Sequence, residues 1–214
     1  MRSYRQYCAM AKALDVIGDR WSLLVVRELL LRGACRYTDL LAGLPGIATN
    51  LLADRLRDLE AAGIIGREAT TAPSVTALYR LTPRGAALRP VIKALGAWGG
   101  PLLAEASDDD AFQSHWLVLP AEELLRDRTP GEPPVVIEVR TGDQPVVIET
   151  VGGEVRARPG TAANPDLVLS GPHRVIVRFL AGRLDRVDAQ AAGLRVDGDL
   201  GALRRLQPVA PSRG

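Results

Sequence analysis

The fold is decided by residues 47–85. They read Ile47-Ala-Thr-Asn-Leu-Leu-Ala-Asp-Arg-Leu-Arg-Asp-Leu-Glu-Ala-Ala-Gly-Ile-Ile-Gly-Arg67, then a loop rich in Pro, Ser and Thr, then Leu78-Tyr-Arg-Leu-Thr-Pro-Arg-Gly85. The apolar spacing of the first part predicts an amphipathic helix that stops at Gly63. The residues that follow predict two short strands around a loop, and Thr82-Pro83 predicts the start of another helix. A helix followed by a two-stranded wing is the order of a winged helix-turn-helix.

The polar side of this helix predicts how the domain reads duplex DNA. Its leucines, Leu52, Leu56 and Leu59, fall on one face of a helical wheel, whereas Asn50 and Arg57 lie on the opposite side. A recognition helix places its N-terminal residues against base edges in the major groove. Asparagine pairs bidentately with adenine and arginine with guanine, and each pair is worth about 1–3 kcal/mol of discrimination. We therefore expect this helix to read the base sequence.

Other polar residues near the helix complete the predicted interface. Asp54 either orients Arg57, contacts a cytosine amine, or forms an ion pair within the helix. The flanking arginines suit phosphate contacts, which supply salt-dependent affinity without sequence information. The predicted DNA-binding residues are Arg36, Thr49, Asn50, Asp54, Arg55, Arg57, Arg67, Arg80 and Arg84. The loop at residues 69–77 holds no Lys or Arg, so we expect a weak wing contact.

Charge divides the chain into two parts. Residues 1–104 hold 14 Lys and Arg against 8 Asp and Glu, a net charge of +6. Residues 105–214 hold 13 against 17, a net charge of −4. This asymmetry indicates that only the first part meets a polyanion. Gly99-Gly-Pro101 and Ser107-Asp-Asp-Asp110 punctuate the change, so we predict two domains, residues 1–104 and residues 105–214.

The apolar periodicity predicts an α+β protein. In the first domain we expect Asp19 to cap the second helix and Pro90 to kink or split the last one. The helices before the wing are expected at residues 8–17, 20–32, 37–42 and 48–62. The second, smaller domain is expected to hold a helix at 111–128, strands at 135–140, 146–151, 154–158 and 167–169, and helices after Gly171-Pro172 and Gly198-Asp199. Strands in succession followed by helices favour an α+β sheet-and-helix domain over a parallel sheet.

Several motifs of the first domain resemble one family. They are Tyr7-Cys8, Leu14-Asp-Val-Ile-Gly-Asp-Arg-Trp-Ser-Leu-Leu24, Arg36-Tyr-Thr-Asp-Leu40, Leu51–Gly63, Tyr79-Arg-Leu-Thr-Pro-Arg-Gly85 and Trp98-Gly99. Together they resemble the HxlR family of bacterial winged-helix regulators, relatives of MarR. The resemblance implies a homodimer that binds an inverted-repeat operator. It also implies a dimer seam on the first and last helices, which would contain Met10, Leu14, Ile92, Leu95 and Trp98.

One residue departs from the family pattern. Ala48 stands where the family often has a capping serine. A lost cap costs about 1 kcal/mol. We therefore expect Thr49 to take over the capping role, which would leave it less available to read bases.

The second domain carries no motif for catalysis. His115 and His173 are far apart, and neither a metal-ligand cluster, a Gly-rich phosphate loop nor a Gly-x-Ser-x-Gly elbow is present, so we expect no enzyme activity, no catalytic residue, no metal and no cofactor. Pro165-Asp-Leu-Val-Leu-Ser-Gly171 and Gly193-Leu-Arg-Val-Asp-Gly-Asp-Leu200 are similar to sterol-carrier-protein-like domains, in which a curved sheet and helices enclose an apolar cavity. That similarity implies pocket walls at Trp116, Ile137, Ile148, Leu169, Ile176, Phe179, Leu180 and Leu194. The alternative is that these residues fill a packed core.

Three functions follow from these patterns. The leading hypothesis is a homodimeric DNA-binding repressor whose second domain binds an apolar small-molecule effector. A second hypothesis makes Cys8 a redox-sensing thiol, because a helix start and nearby Arg5 favour a thiolate. A third is a lipid carrier, in which the helical domain only dimerises. The chain shows no signal peptide and no apolar run of about 20 residues, so we expect a cytoplasmic protein without a membrane partner.

Overall fold

The computed structural model describes residues 3–68 and 77–208. The predicted wing loop therefore lies almost entirely outside the described residues. The chain divides into two compact units, Met1–Leu95 and Gly96–Gly214. The division falls ahead of the boundary that we placed between residues 104 and 105. Within the described ranges, no helix combines the length and the apolar character that crossing a bilayer requires.

The first unit has the element order of a winged helix-turn-helix. Its elements are α1 (Ala9–Ile17), α2 (Ser22–Arg32), α3 (Tyr37–Gly43), α4 (Thr49–Ala61), β1 (Ile65–Glu68), β2 (Leu78–Leu81), α5 (Pro83–Ala86) and the first part of α6 (Arg89–Gly99), a helix that continues past Leu95 into the second unit. β1 and β2 are antiparallel, with Ile65 opposite Leu81. Cys35 adds an isolated antiparallel bridge to Tyr79, which ties the segment before α3 to the wing. The helix-then-wing prediction is confirmed.

The core of this unit forms under α4. Leu52, Leu56 and Leu59 are almost fully buried, as their spacing predicts. They pack with apolar side chains of the other helices and the wing, including Leu40 and Ile65. Truncating a buried leucine to alanine typically costs 2–5 kcal/mol, so this stripe holds α4 firmly against the unit. The opposite side of α4 is thereby turned to the surface.

Three helix boundaries in this unit follow local chemistry, whereas the start of α2 does not. Gly63 has a φ of 67°, the left-handed conformation that ends a helix. The Thr82 hydroxyl accepts a hydrogen bond from the Gly85 N–H, so Thr82-Pro83 starts α5 as predicted. The predicted split near Pro90 also occurs, because α5 ends at Ala86 and α6 begins one residue before the proline.

The exception is the start of α2. The N-cap position belongs to Trp21, whose φ of 79° is rare for a residue other than glycine. Asp19 is therefore not the cap, and that prediction was wrong. Its backbone carbonyl accepts from the Ser22 N–H, and its carboxylate accepts a hydrogen bond from Arg55 instead.

The second unit is built on a mixed five-stranded sheet. Its elements after the 3₁₀ helices Gly100–Glu105 and Ser114–Leu117 are α7 (Val118–Leu124), β3 (Leu125–Asp127), β4 (Val136–Arg140), β5 (Val146–Val151), β6 (Glu154–Pro159), β7 (Leu167–Ser170), α8 (His173–Leu180), α9 (Arg186–Ala191), β8 (Arg195–Gly198), α10 (Leu200–Arg205) and β9 (Leu206–Pro208). The sheet order is β6-β5-β4-β7-β8. Only β4 and β7 are parallel among the pairs of this sheet. β3 pairs with β9 in a separate antiparallel ribbon.

One expectation for this unit needs correction, and several of its elements were not anticipated. The helix expected at residues 111–128 is a 3₁₀ helix, then α7, then β3, because Leu125 leaves the helix to pair with Pro208. α9, which Asp185 caps by accepting from the Asp188 N–H, was not anticipated, and neither was β9. α6 ends at Gly99, at the break expected at residues 99–101, and a 3₁₀ helix follows it directly.

Candidate nucleic-acid interface

The N-terminus of α4 is open at the surface. Ala48 occupies the N-cap position in an extended conformation, and among the described residues no side chain caps the helix. Thr49 already lies inside the first turn, so the expectation that it takes over the capping role was wrong. Ala48, Thr49 and Asn50 are all exposed. The positive dipole end of the helix is therefore available to an anion, while the Leu51 N–H of the first turn already donates to the Asn50 side chain.

A hydrogen bond from α3 fixes this end of α4. The Tyr37 hydroxyl donates to the backbone carbonyl of Thr49, at 2.6 Å. Tyr37 is half-buried and packs against the core of the unit. The sequence reasoning did not single out Tyr37, although it lies within the quoted Arg36–Leu40 motif. Because the bond is made to the first residue of α4, Tyr37 helps to place the residues that would meet a base edge.

The polar face of α4 carries the residues predicted to read bases. The Arg57 side chain is 73% exposed and forms an ion pair with Asp54, one turn earlier. The Asn50 side-chain oxygen accepts from the Leu51 N–H at 3.0 Å. Of the three alternatives for Asp54, the structure shows the ion pair within the helix, with Arg57 as the partner. Exposed ion pairs are worth little, so Arg57 can exchange this partner for another acceptor at small cost.

Arg55 occupies a different environment from the other arginines of the interface. Its side chain is only 15% exposed and pairs with Asp19 and with Asp58, the latter at 3.0 Å. Its Nε atom is buried and has no hydrogen-bond partner in the described structure. The phosphate contact expected of Arg55 would require these pairs to break. The structure thus places Arg55 inside the unit's own ion-pair network.

The remaining predicted arginines differ in how they are held. Arg36 is exposed at the start of α3. A guanidinium nitrogen of Arg67 donates to the Tyr79 hydroxyl at 2.6 Å, which raises the pKa of Arg67. Arg80 pairs with Glu68 across the wing strands. Arg84 donates to the Ala62 carbonyl at 3.0 Å, at the C-terminal end of α4. Arg36 and Arg57 are thus the best placed for a new partner.

Apolar side chains are exposed on the helices predicted to dimerise. On α1, Met10 is 72% exposed, and Leu14 is also exposed. On α6, Leu95 and Trp98 are exposed, whereas Ile92 is half-buried against the core of the first unit. Large apolar side chains exposed along a helix are candidates for an interface. Four of the five predicted seam residues are therefore accessible to a partner.

The two cysteines are in opposite environments. Cys8 is exposed at the N-cap position of α1. Cys35 is buried, and its thiol lies 3.6 Å from the Gly33 carbonyl oxygen as a weak donor. Burial raises the pKa of the Cys35 thiol to about 11. Only Cys8 has the accessibility that thiol chemistry requires.

The second unit has an apolar groove, but few of the predicted pocket residues line it. Ile137, Ile148, Leu169, Ile176 and Leu194 belong to the packed core, and Trp116 is half-buried elsewhere. Phe179 and Leu180 line a groove of about 330 Å³. The sequence reasoning missed its other walls, because the loop between α8 and α9, the helix α10 and the β3–β9 ribbon supply them. They are Leu125, Gly182, Leu184, Asp185, Leu203, Leu206, Gln207 and Pro208. No group of three or more possible metal ligands occurs in the described part of the chain.

Comparison with known proteins places the first unit in a family. The model of the HxlR-like helix-turn-helix family matches residues 16–107. The chain is 34% identical to the uncharacterized HTH-type transcriptional regulator YvaP of Bacillus subtilis over 87 residues, which are 41% of this chain and 80% of that protein. It is 38% identical to the uncharacterized regulator sll1512 of Synechocystis over 100 residues, covering 47% and 73%. The regulator YodB of Bacillus subtilis is 33% identical over 89 residues, covering 42% and 79%. With the winged-helix order of its first unit, the chain belongs to the HxlR-like helix-turn-helix family of transcriptional regulators, which are not enzymes.

Proposed function

We propose that the chain is a sequence-specific DNA-binding transcriptional repressor that acts as a homodimer on an inverted-repeat operator. The observation that carries this proposal is the outer face of α4. Asn50 and Arg57 are exposed there, above a fully buried leucine stripe, at an uncapped helix N-terminus. The net charge of +6 over residues 1–104 favours approach to a polyanion.

The exposed apolar residues of α1 and α6 support the dimer. Pairing two copies through Met10, Leu14, Leu95 and Trp98 would remove these side chains from water. A two-fold axis through that seam would present two copies of α4 to one duplex. Half-sites about one DNA turn apart, roughly 34 Å, would then explain an inverted-repeat operator.

Equilibrium binding to DNA tests this function. The probe is a set of labelled 30-base-pair duplexes that tile the region upstream of the chain's own gene, with a scrambled duplex of equal composition. We expect Asn50→Ala and Arg57→Ala each to lose about 5- to 150-fold in specific affinity, the equivalent of one bidentate base contact. Arg195→Ala, which removes an exposed arginine from the second unit, is the control and should stay within about twofold of wild type. Unchanged binding by both α4 variants would contradict the proposal.

The second unit is proposed to bind an apolar effector in its groove. The support is the groove lined by Phe179, Leu180 and Leu203, next to a sheet-and-helix core of the kind that a sterol-carrier-like domain implies. Such a ligand would regulate repression only if it binds one DNA-binding geometry more tightly than another. The probe is anilinonaphthalene sulfonate, whose fluorescence should rise with wild type and fall with Leu203→Arg. Equal fluorescence for the two proteins would remove the groove as a binding site.

A lipid-carrier role is the alternative for the same groove. It shares the ligand site with the proposed repressor and differs in what the first unit does. A carrier would take up the probe without retaining any duplex at low salt. Binding of both the probe and a duplex by one chain therefore favours the regulator.

A thiol-sensing regulator is a second candidate, favoured by the exposure of Cys8. Cys8 starts the helix that carries Met10 and Leu14, so its oxidation would alter the predicted seam. The test compares the mobility of the protein–duplex complex before and after mild treatment with hydrogen peroxide. Wild type should lose the complex and Cys8→Ser should keep it. Equal responses of the two proteins would remove this candidate.

A further inference from the structure

We propose that Asp19 and Arg55 form a brace that sets the orientation of α4 for DNA recognition. Arg55 is then a positioning residue and makes no phosphate contact. Asp19, although acidic, then strengthens specific binding. This inference rests on the proposed function, because it assigns the residues that place the recognition helix.

The brace joins two parts of the first unit that are far apart in sequence. Arg55 lies in the middle of α4, and its NH1 group donates to the Asp19 carboxylate in the turn between α1 and α2. Its NH2 group lies 3.0 Å from Asp58, one turn further along α4. With its Nε atom buried and unpartnered among the described residues, the guanidinium depends on these two carboxylates.

The turn that holds Asp19 is itself fixed. Trp21 has the left-handed φ of 79°, a conformation that persists only where its surroundings enforce it. Its indole ring lies beside Gly46, since a Cβ added there would be 4.0 Å from the ring. Gly46 belongs to the turn that leads into α4. The α1–α2 turn therefore lies beside the turn that leads into α4, and its Asp19 accepts a hydrogen bond from Arg55 in the middle of α4.

The α1–α2 turn is also held tightly to α1. The Gly18 N–H donates to the Leu14 carbonyl at 2.9 Å, and a Cβ at Gly18 would lie 2.5 Å from that oxygen. The same helix carries Met10 and Leu14 of the predicted seam. The brace thus connects the helix proposed to dimerise with the helix proposed to read bases. Its loss would let α4 shift relative to its partner copy without unfolding the unit.

Simple electrostatics and the brace make opposite predictions for Asp19. Removing an acidic group near DNA should tighten binding if only charge matters. The brace predicts weaker binding, because an unsupported Arg55 no longer holds α4 in place. The two roles of Arg55 also differ in salt dependence. Each phosphate contact contributes about 0.9 to the slope of log affinity against log salt concentration, whereas a positioning residue contributes nothing to it.

The test uses the full chain and the upstream duplex that wild type retains. Asp19→Asn and Arg55→Gln should each weaken specific binding by about 5- to 150-fold, as for the loss of one base contact. Affinity for the scrambled duplex and the salt slope should not change. Glu60→Gln removes one exposed negative charge from α4 and is the matched control, which should bind at least as tightly as wild type.

The outcomes separate this inference from the proposed function. Binding by Asp19→Asn that equals or exceeds wild type overturns the brace alone. A slope lowered by about 1 in Arg55→Gln, with equal losses on both duplexes, also overturns it and makes Arg55 a phosphate contact. Should a single variant fold poorly, Arg55→Lys, which keeps a positive charge between Asp19 and Asp58, must retain more specificity than Arg55→Gln, and equal losses in the two variants refute the brace. Wild type that retains no duplex overturns the proposed function, and the brace with it.

Discussion

Replacing Ala48 by serine should stabilise the first unit. Ala48 has the extended conformation that an N-cap residue needs, with φ of −74° and ψ of 144°, but lacks a side chain that accepts hydrogen bonds. A serine there would accept from the N–H of Asn50 or Leu51, in the first turn of α4. The Leu51 N–H already donates to the Asn50 side chain, so the new serine should accept mainly from the backbone N–H of Asn50. The expected gain is about 1 kcal/mol, or roughly 4–8 °C in the unfolding temperature of a unit of this size.

The assay is guanidinium unfolding followed by the fluorescence of Trp21. Trp21 is half-buried in the first unit, and Trp98→Phe with Trp116→Phe would leave it as the one tryptophan of the chain. Ala61→Ser, the same change at the exposed last residue of α4, is the control and should give no gain. If Ala48→Ser is no more stable than Ala61→Ser, at equal dependence on denaturant, the capping argument is refuted.

Three further predictions concern close packing and titration. Gly85→Ala should lower the free energy of unfolding by about 1–3 kcal/mol, because its Cβ would lie 2.0 Å from the Ile64 carbonyl oxygen. Gly96→Ala, where a Cβ meets nothing within 4 Å, should be neutral or stabilising in the same guanidinium unfolding experiment. A thiol-specific chromogenic reagent at pH 8 should modify one thiol quickly in the native protein and none in Cys8→Ser, since Cys35 is buried with a pKa of about 11; rapid modification of both thiols would disprove this. Burial, with a smaller contribution from Arg174, lowers the pKa of His173 below 6.5 in the folded protein. The contribution of neutral His173 to the free energy of unfolding is therefore complete above about pH 6.5 and is lost as the pH falls through the pKa of the folded state. Proton NMR should show that the pKa of His173 lies below 6.5, and a pKa of 6.5 or more would contradict the prediction. The free energy of unfolding should change less between pH 7 and pH 5 in His173→Gln than in wild type.

The winged-helix part could be predicted because its signals are local. The leucine spacing of α4, the stop at Gly63 and the cap at Thr82 each depend on residues within a few positions of one another. Such signals can be recognised in a single sequence because each one acts on the element that contains it, either by satisfying the backbone groups at the end of a helix or by burying one helix face. The exposed positions of Asn50 and Arg57 follow from the same periodicity.

The roles of individual side chains could not be predicted in the same way. Asp19 was expected to cap the helix that follows it, but its carboxylate pairs with Arg55, which is 36 positions away in sequence. Leu125 continues an apolar helical pattern, yet its strand pairs with one that ends at Pro208. These choices are made by tertiary contacts, which local periodicity does not encode. For the same reason the groove contains only two of the eight residues proposed as its walls.

A hydroxyl-radical footprint of the wild-type chain on its own upstream region tests the central claim most directly. If two copies of α4 enter successive major grooves, the footprint should show two protected stretches related by two-fold symmetry, with centres about 10 base pairs apart. Protection should weaken as salt rises, because phosphate contacts release counterions. Uniform cleavage at low salt, at protein concentrations that saturate any retarded complex, would contradict the account.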